Sequence, residues 1–214
     1  MSGVSARLVL FMLTVLAANT GVAGDNSDPH AKHRQMMNEE QESAANSAAI
    51  QVPDVRLTTQ FGKEVSLRDD VVGDRIVIID FVYTSCTTIC PVLSAILGQL
   101  QGRLGERLGE DVVMISLTVD PLRDTPERLK AYSEKHHARD GWVWLTGDKQ
   151  TVDEVLRAMG AYTPNFEDHP SMMLVGDRNS GEWSRFLGFP GSGNIMEKID
   201  ELSAARNAQS AVRE

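Results

Sequence analysis

Two cysteines and one histidine are the residues whose types and spacing best suit metal or thiol chemistry. The cysteines occur in Cys86-Thr87-Thr88-Ile89-Cys90-Pro91, and the sequence contains no other cysteine. If the turn from Cys86 to Cys90 is helical, both sulfur atoms lie on one face with Cα atoms about 6 Å apart. They could then form a disulfide or bind one metal ion, and helix N-terminal amides would favour the thiolate forms.

His169 is the candidate third ligand. Two thiolates suit Cu(I), and an imidazole completes a three-coordinate site that also accepts Cu(II). A structural zinc site would need four ligands, so zinc fits less well. The alternative interpretation is an inert disulfide with a histidine that only makes surface hydrogen bonds. The loop from Cys86 to Cys90 is so short that its closure adds little stability, which makes a purely structural disulfide a weak explanation.

The elements that must position these residues follow an alternating pattern. Residues 76–83 (IVIIDFVY), just before Cys86, are typical of a strand buried on both faces. Residues 112–119 form a second such strand, and the helix between them implies a parallel crossover. That helix is predicted from apolar residues at spacings of three and four: Leu93, Ile96, Leu97, Leu100, Leu104 and Leu108.

The remaining elements complete the order of a thioredoxin-like α/β domain. They are a hairpin at 55–67, a helix at 125–136, a strand at 142–145, a helix at 149–159, a hairpin formed by 171–175 and 183–187, and a helix at 194–205. We therefore predict a central mixed sheet flanked by helices, with an N-terminal hairpin and a C-terminal β-hairpin plus helix. This domain is expected at 50–206, followed by a frayed tail at 207–214.

Residues 1–23 have the features of an export signal. Arg7 precedes an apolar run at residues 8–18, and small residues follow at 21–23. The run is shorter than the about 20 residues of a membrane-spanning helix, which favours a cleaved signal peptide over an uncleaved anchor. We expect an exported protein in the periplasm or at the outer face of the inner membrane, with membrane contact only through this segment.

Composition narrows the classes of partner. The 30 acidic and 21 basic residues give a net charge of -9, which repels phosphate backbones, so no nucleic-acid partner is expected. Residues 24–49 are polar and are predicted to be a disordered linker. Four side chains of this linker are potential donors that either collect copper or are incidental: His30, His33, Met36 and Met37.

Four blocks in order resemble the Sco/SenC copper chaperones over about residues 52–202. They are 81–91 (FVYTSCTTICP), Asp120-Pro121 with Asp124-Thr125-Pro126, Leu129 and Tyr132, 144–148 (WLTGD), and Asp168-His169. The resemblance implies a thioredoxin-like fold that binds one copper ion through Cys86, Cys90 and His169. It also implies delivery toward the copper centre of cytochrome c oxidase, and an acidic residue near the site, Asp120, whose alternative role is in a turn.

Pro170 departs from the family pattern, in which Ser or Thr usually follows the histidine. A proline constrains the backbone, so it either redirects His169 or occupies the cis-proline position of thioredoxin-like folds.

Three functions compete at this stage. The first is a metallochaperone, rather than an enzyme, for the copper-bearing subunit of cytochrome c oxidase or another cuproprotein. The second is a thiol-disulfide oxidoreductase that reduces partner proteins, with Cys86 as the attacking thiol and Cys90 as the resolving thiol. The third is a binding protein with an inert disulfide.

Overall fold

The computed structural model describes residues 50–213. The predicted export signal and linker lie outside the described residues, and so do His30, His33, Met36 and Met37. Within the described part, seven strands form one mixed sheet. The strands are β1 (Arg56–Thr59), β2 (Glu64–Ser66), β3 (Ile76–Val82), β4 (Val112–Thr118), β5 (Trp142–Thr146), β6 (Met172–Asp177) and β7 (Glu182–Leu187). The α-helices are α1 (Ile89–Leu104), α2 (Pro126–Lys135), α3 (Lys149–Ala158) and α4 (Ser192–Arg213).

Strand β3 lies near the centre of the sheet, whose order is β2-β1-β5-β4-β3-β6-β7. It pairs in parallel with β4 and antiparallel with β6, and all seven of its residues are buried. The predicted doubly buried strand and the parallel crossover through α1 are therefore confirmed. Because β3 and β4 are parallel, their carboxyl ends meet at one edge of the sheet, where both cysteines and Asp120 lie.

Side chains alternate along β3 and divide the core into two layers. Ile78 and Val82 pack beneath α1, α2 and α4, whereas Ile79 and Phe81 pack against α3 and the π-helical turn Leu67–Val72. Helices thus cover both faces of the mixed sheet. The predicted thioredoxin-like α/β fold, with its N-terminal hairpin and its C-terminal hairpin plus helix, is confirmed. No helix among residues 50–213 combines the length and the apolar character needed to span a bilayer.

Two predicted helix ends differ from the structure. Helix α1 ends at Leu104 because Gly105 follows with a φ of 57°, so Leu108 is buried but does not belong to the helix. Helix α4 continues past the predicted end at 205 to Arg213, so residues 207–213 of the predicted frayed tail are helical. At the start of this extension, Arg206 pairs with Asp177, since its Nε and Nη2 each lie 2.7 Å from a carboxylate oxygen of that residue.

The Arg206 pair with Asp177 should stabilise the fold in a pH-dependent way. Burial alone would raise the pKa of Asp177, but hydrogen bonds from Arg206 and the Asn179 backbone outweigh it and lower the pKa below the usual value. A carboxyl group with a lowered pKa stabilises the fold above its unfolded pKa, about 3.9, and loses this effect as pH falls. We expect Arg206→Ala to cost about 3 kcal/mol at pH 7 in urea unfolding, because it leaves a buried carboxylate without its cation.

Arg56→Ala is the matched control, since the Arg56 pair with Glu64 is 64% and 73% exposed and should cost less than about 1 kcal/mol. The Arg206→Ala deficit should shrink below about pH 4. A deficit independent of pH would contradict this account.

Candidate metal and thiol site

The two cysteines lie together where β3 passes into α1. The predicted proximity of the cysteines assumed a helical turn from Cys86 to Cys90. In the structure the helix begins only at Ile89, so Cys90 lies in α1 and Cys86 lies before it. The Cys90 backbone N–H nevertheless donates to the Cys86 Sγ, 3.3 Å away. The residue before the helix, Thr88, provides no side-chain cap, so the sulfur accepts one of the helix N–H groups that have no partner within the helix.

Their surroundings give the two thiols different acidities. Burial alone would raise the pKa of Cys86, but hydrogen bonds from the Cys90 thiol, the backbone of Cys90 and Thr88, and the Tyr83 hydroxyl bring it down to about 7. Burial raises the pKa of Cys90, and the interaction with Cys86 raises it further. At neutral pH Cys86 is therefore partly thiolate and Cys90 is a thiol. Both side chains are free cysteines in the structure.

Asp124 holds the loop that leads to Cys86. Its carboxylate accepts the Thr84 backbone N–H at 3.1 Å and the hydroxyls of Thr84 and Thr118 at 2.5 and 2.7 Å. Asp124 is not the cap of α2, because that cap is the neighbouring Thr125, whose side chain accepts the Arg128 N–H. The contact of Asp124 with Thr84 joins residues 40 positions apart, so no local pattern could have predicted it.

A second buried carboxylate, Asp80, lies in β3 beneath the site. It accepts a 2.5 Å hydrogen bond from Ser116, which in turn accepts one from the Trp142 indole N–H. Burial raises the pKa of Asp80 to about 7, and Asp80 in turn contributes to the raised pKa of Cys90. The sequence feature that could have indicated this buried carboxylate is one acidic residue inside an otherwise apolar strand.

His169 follows the 3₁₀ turn Phe166–Asp168 and is half-buried. Its Nδ1 atom is buried and has no hydrogen-bond partner among residues 50–213, and burial lowers the pKa of the imidazole. A neutral imidazole with an unused ring nitrogen can act as a metal ligand. The donor set of Cys86, Cys90 and His169 therefore fits copper by its chemistry.

The three predicted ligands do not form one cluster in the described part of the chain. Within residues 50–213, no three His, Cys, Asp or Glu side chains lie close enough together to hold a metal ion. Tyr83 contacts both sides of the predicted site. Its ring meets the His169 ring edge-on with centroids 5.7 Å apart, and its hydroxyl is one of the groups that lower the pKa of Cys86.

Asp120 lies at the same sheet edge and is buried. Its carboxylate pairs with Arg123 at 3.0 Å, and its backbone N–H donates to the Thr118 hydroxyl.

The cis-proline alternative for Pro170 is wrong, because the described residues contain no cis peptide bond. His169 has the extended backbone, with φ −63° and ψ 141°, that a trans proline favours in the residue before it.

These features define a thioredoxin-like protein with a paired-thiol site at the carboxyl end of a central strand. The SCO1/SenC family model matches residues 43–204, and the chain belongs to this family.

Three comparisons illustrate the range of relatives. A Stutzerimonas stutzeri protein named as a candidate copper-binding protein is 30% identical over 109 residues, which are 51% of this chain and 52% of that protein. The chain thus spans about half the length of the curated relative it matches first. BsSco, described as a member of the Sco family of cytochrome c oxidase assembly proteins with a disulfide switch, is 26% identical with a TM-score of 0.62, covering 76% of this chain and 98% of BsSco.

The third relative is Arabidopsis thaliana ScoI, whose structure contains copper. It is 22% identical with a TM-score of 0.60, and the likeness covers 73% of this chain and 99% of that structure. At this identity the similarity concerns the fold.

Alkylation should distinguish the two thiols. We expect the rate of iodoacetamide modification at Cys86, followed by mass spectrometry, to rise with pH with a midpoint of about 7. Cys90 should remain largely unmodified over the same range, because its pKa is raised. In Cys90→Ala the midpoint should move up, since the variant loses a hydrogen-bond donor to the thiolate. A wild-type midpoint near 8.5, the value of an unperturbed thiol, would refute the proposed asymmetry.

Proposed function

We propose that this protein is a copper-binding metallochaperone for assembly of the copper centre of cytochrome c oxidase. Copper is its cargo, and the proposed ligands are Cys86, Cys90 and His169. The observation that supports this most directly is the Cys86–Cys90 pair, with a backbone N–H 3.3 Å from the first sulfur, on a chain of the SCO1/SenC family. The copper-bound structure of one relative and the assembly role named for another agree with it.

Each ligand has a distinct part in this proposal. Cys86, with its lowered pKa, supplies a thiolate near pH 7 without a strong base. Cys90 has a raised pKa, so copper must displace its proton, and binding at this position releases acid. His169 supplies a neutral imidazole whose Nδ1 atom has no hydrogen-bond partner in the described part of the chain.

The surface beside the cysteines suits a protein partner. Ile89 and Val92, in the first turn of α1, are 39% and 46% exposed and flank the buried Cys90. No charged residue occurs from Phe81 to Gly102, although the chain carries a net charge of -9. Exposed apolar residues at an uncharged surface are typical of contact sites. The copper-bearing subunit or another cuproprotein would dock here, in the periplasm or at the outer face of the inner membrane.

Copper competition tests the ligand set. We expect the reduced domain to bind one Cu(I) per chain against a chelator, and a double Cys86→Ser/Cys90→Ser variant to lose this binding. His169→Ala should weaken the affinity by more than about tenfold, since even the outer-shell partners of metal ligands typically contribute that much.

His137→Asn is the matched control, because His137 is exposed and its φ of 53° is tolerated by asparagine. This variant should bind copper as the wild type does. Unchanged affinity in His169→Ala would remove His169 from the ligand set, whereas unchanged binding in the double serine variant would overturn the proposed function.

The unequal thiols support a second candidate function, reduction of partner disulfides. The Cys86 thiolate would attack a partner disulfide and form a mixed disulfide, releasing one partner thiolate. Cys90 would then lose its proton and attack Cys86, releasing the second partner thiolate. The two electrons pass from the cysteine pair, which becomes a disulfide, to the partner, which becomes a dithiol. An attacking thiol works best with a pKa near the ambient pH, as Cys86 has.

Trapping tests this activity separately from copper binding. Cys90→Ser should accumulate a mixed disulfide with a model disulfide protein on non-reducing gels, because no resolving thiol remains. Cys86→Ser should trap much less, since the remaining thiol has a raised pKa. His169→Ala should exchange like the wild type. Equal trapping by both serine variants would contradict the assigned order of attack.

A further inference from the structure

Tyr83 is the side chain that links the His169 side of the candidate site with the side that contains the cysteines. This side chain packs against both apolar layers, one of which contains Cys86 and Cys90. Its ring also meets the His169 ring, with an interplanar angle of 83°. Tyr83 is therefore in contact both with the candidate imidazole ligand and with the layer that contains the two candidate thiolate ligands.

Phe166 fixes the Tyr83 ring from the other side. The two ring centroids are 5.1 Å apart in an edge-on arrangement at 77°. Phe166 is also coupled to the candidate ligand through the backbone, since the His169 N–H donates to the Phe166 carbonyl at 3.3 Å. A displacement of Phe166 would thus affect both the Tyr83 ring and the segment that carries His169.

Arg123 in turn holds Phe166. Its guanidinium carbon lies 5.4 Å from the centre of the Phe166 ring, the geometry of a cation–π contact. The guanidinium is anchored because one nitrogen pairs with the Asp120 carboxylate at 3.0 Å, and Asp120 is only 4% exposed. A cavity adjoins this contact and is lined by Asp120, Arg123 and Phe166, together with Leu156.

We propose that Arg123 is a positioning residue for copper loading. By holding Phe166 against Tyr83, it stabilises the conformation in which His169 is separated from Cys86 and Cys90. Copper is bound by all three ligands only after this stack loosens, so the apparent affinity is reduced by the population of the loosened conformation. The inference rests on the proposed function, since it takes His169 to be the third ligand.

The test is Cu(I) competition with Arg123→Gln, which removes the cation and keeps a polar side chain beside Asp120. We expect copper to bind about two- to fivefold more tightly, and to load faster, because a partly exposed cation–π contact no longer stabilises the separated conformation. In a His169→Ala background the same substitution should have no effect, since its action passes through His169. If Arg123 had a purely structural role, the effect of Arg123→Gln on copper affinity would be the same with and without His169.

Two further variants complete the design. Phe166→Leu keeps an apolar side chain but removes both aromatic contacts, so it should raise the affinity even if Arg123→Gln folds poorly. Arg157→Gln is the matched control, because Arg157 stacks on Tyr162 with its guanidinium carbon 3.9 Å from the ring centre and also lies 3.8 Å from Asp153. It should leave copper binding unchanged.

The failures are distinguishable. If His169→Ala weakens copper binding but Arg123→Gln and Phe166→Leu bind no more tightly than the wild type, the positioning role is overturned and the proposed ligand set remains. If His169→Ala leaves copper binding unchanged, the third ligand and the positioning role are both overturned.

Discussion

The hydrogen bonds accepted by the buried carboxylate of Asp124 are the interactions on which the whole site depends. Asp124 is 1% exposed, so no solvent can replace the backbone N–H and the two hydroxyls that it accepts. One donor residue, Thr84, precedes Cys86, and the other, Thr118, ends β4. The Thr118 hydroxyl also accepts the N–H of Asp120, whose carboxylate binds Arg123. The loops on which the cysteines and the aromatic stack rest are therefore held by one polar network.

Within this frame, the start of α1 makes the two cysteines chemically unequal. Cys86 lies just before the helix and accepts a helix N–H, so its thiolate is stabilised. Cys90 lies inside the helix, against the core and above Asp80, so its thiolate is destabilised. Metal binding needs both thiolates, whereas disulfide exchange needs one thiolate and one thiol. For the two proposed functions, this asymmetry would favour disulfide exchange and would make copper binding release a proton.

Sequence patterns predicted the elements well because burial periodicity is local. The buried strands β3 and β4 follow from runs of neighbouring apolar residues. The end of α1 was missed because the apolar spacing continues to Leu108, past the Gly105 that ends the helix. The end of α4 was missed because residues 206–213 carry no apolar helical pattern. At the site, the Cys86–Cys90 proximity was predictable from spacing. The contacts of Asp124 with Thr84 and of Tyr83 with His169 join distant segments, and no local pattern encodes them.

A third ligand that is held apart has a thermodynamic consequence for a protein that carries metal. The proposed three-ligand site includes the cost of moving Tyr83 and Phe166 in its apparent affinity, since only the rearranged conformation binds fully. That cost is recovered when the metal leaves and the stack of Arg123, Phe166 and Tyr83 forms again. Relaxation of the stack therefore favours release to an acceptor with a rigid site. A preformed cluster of the same three ligands would lack this contribution and would bind its cargo more tightly.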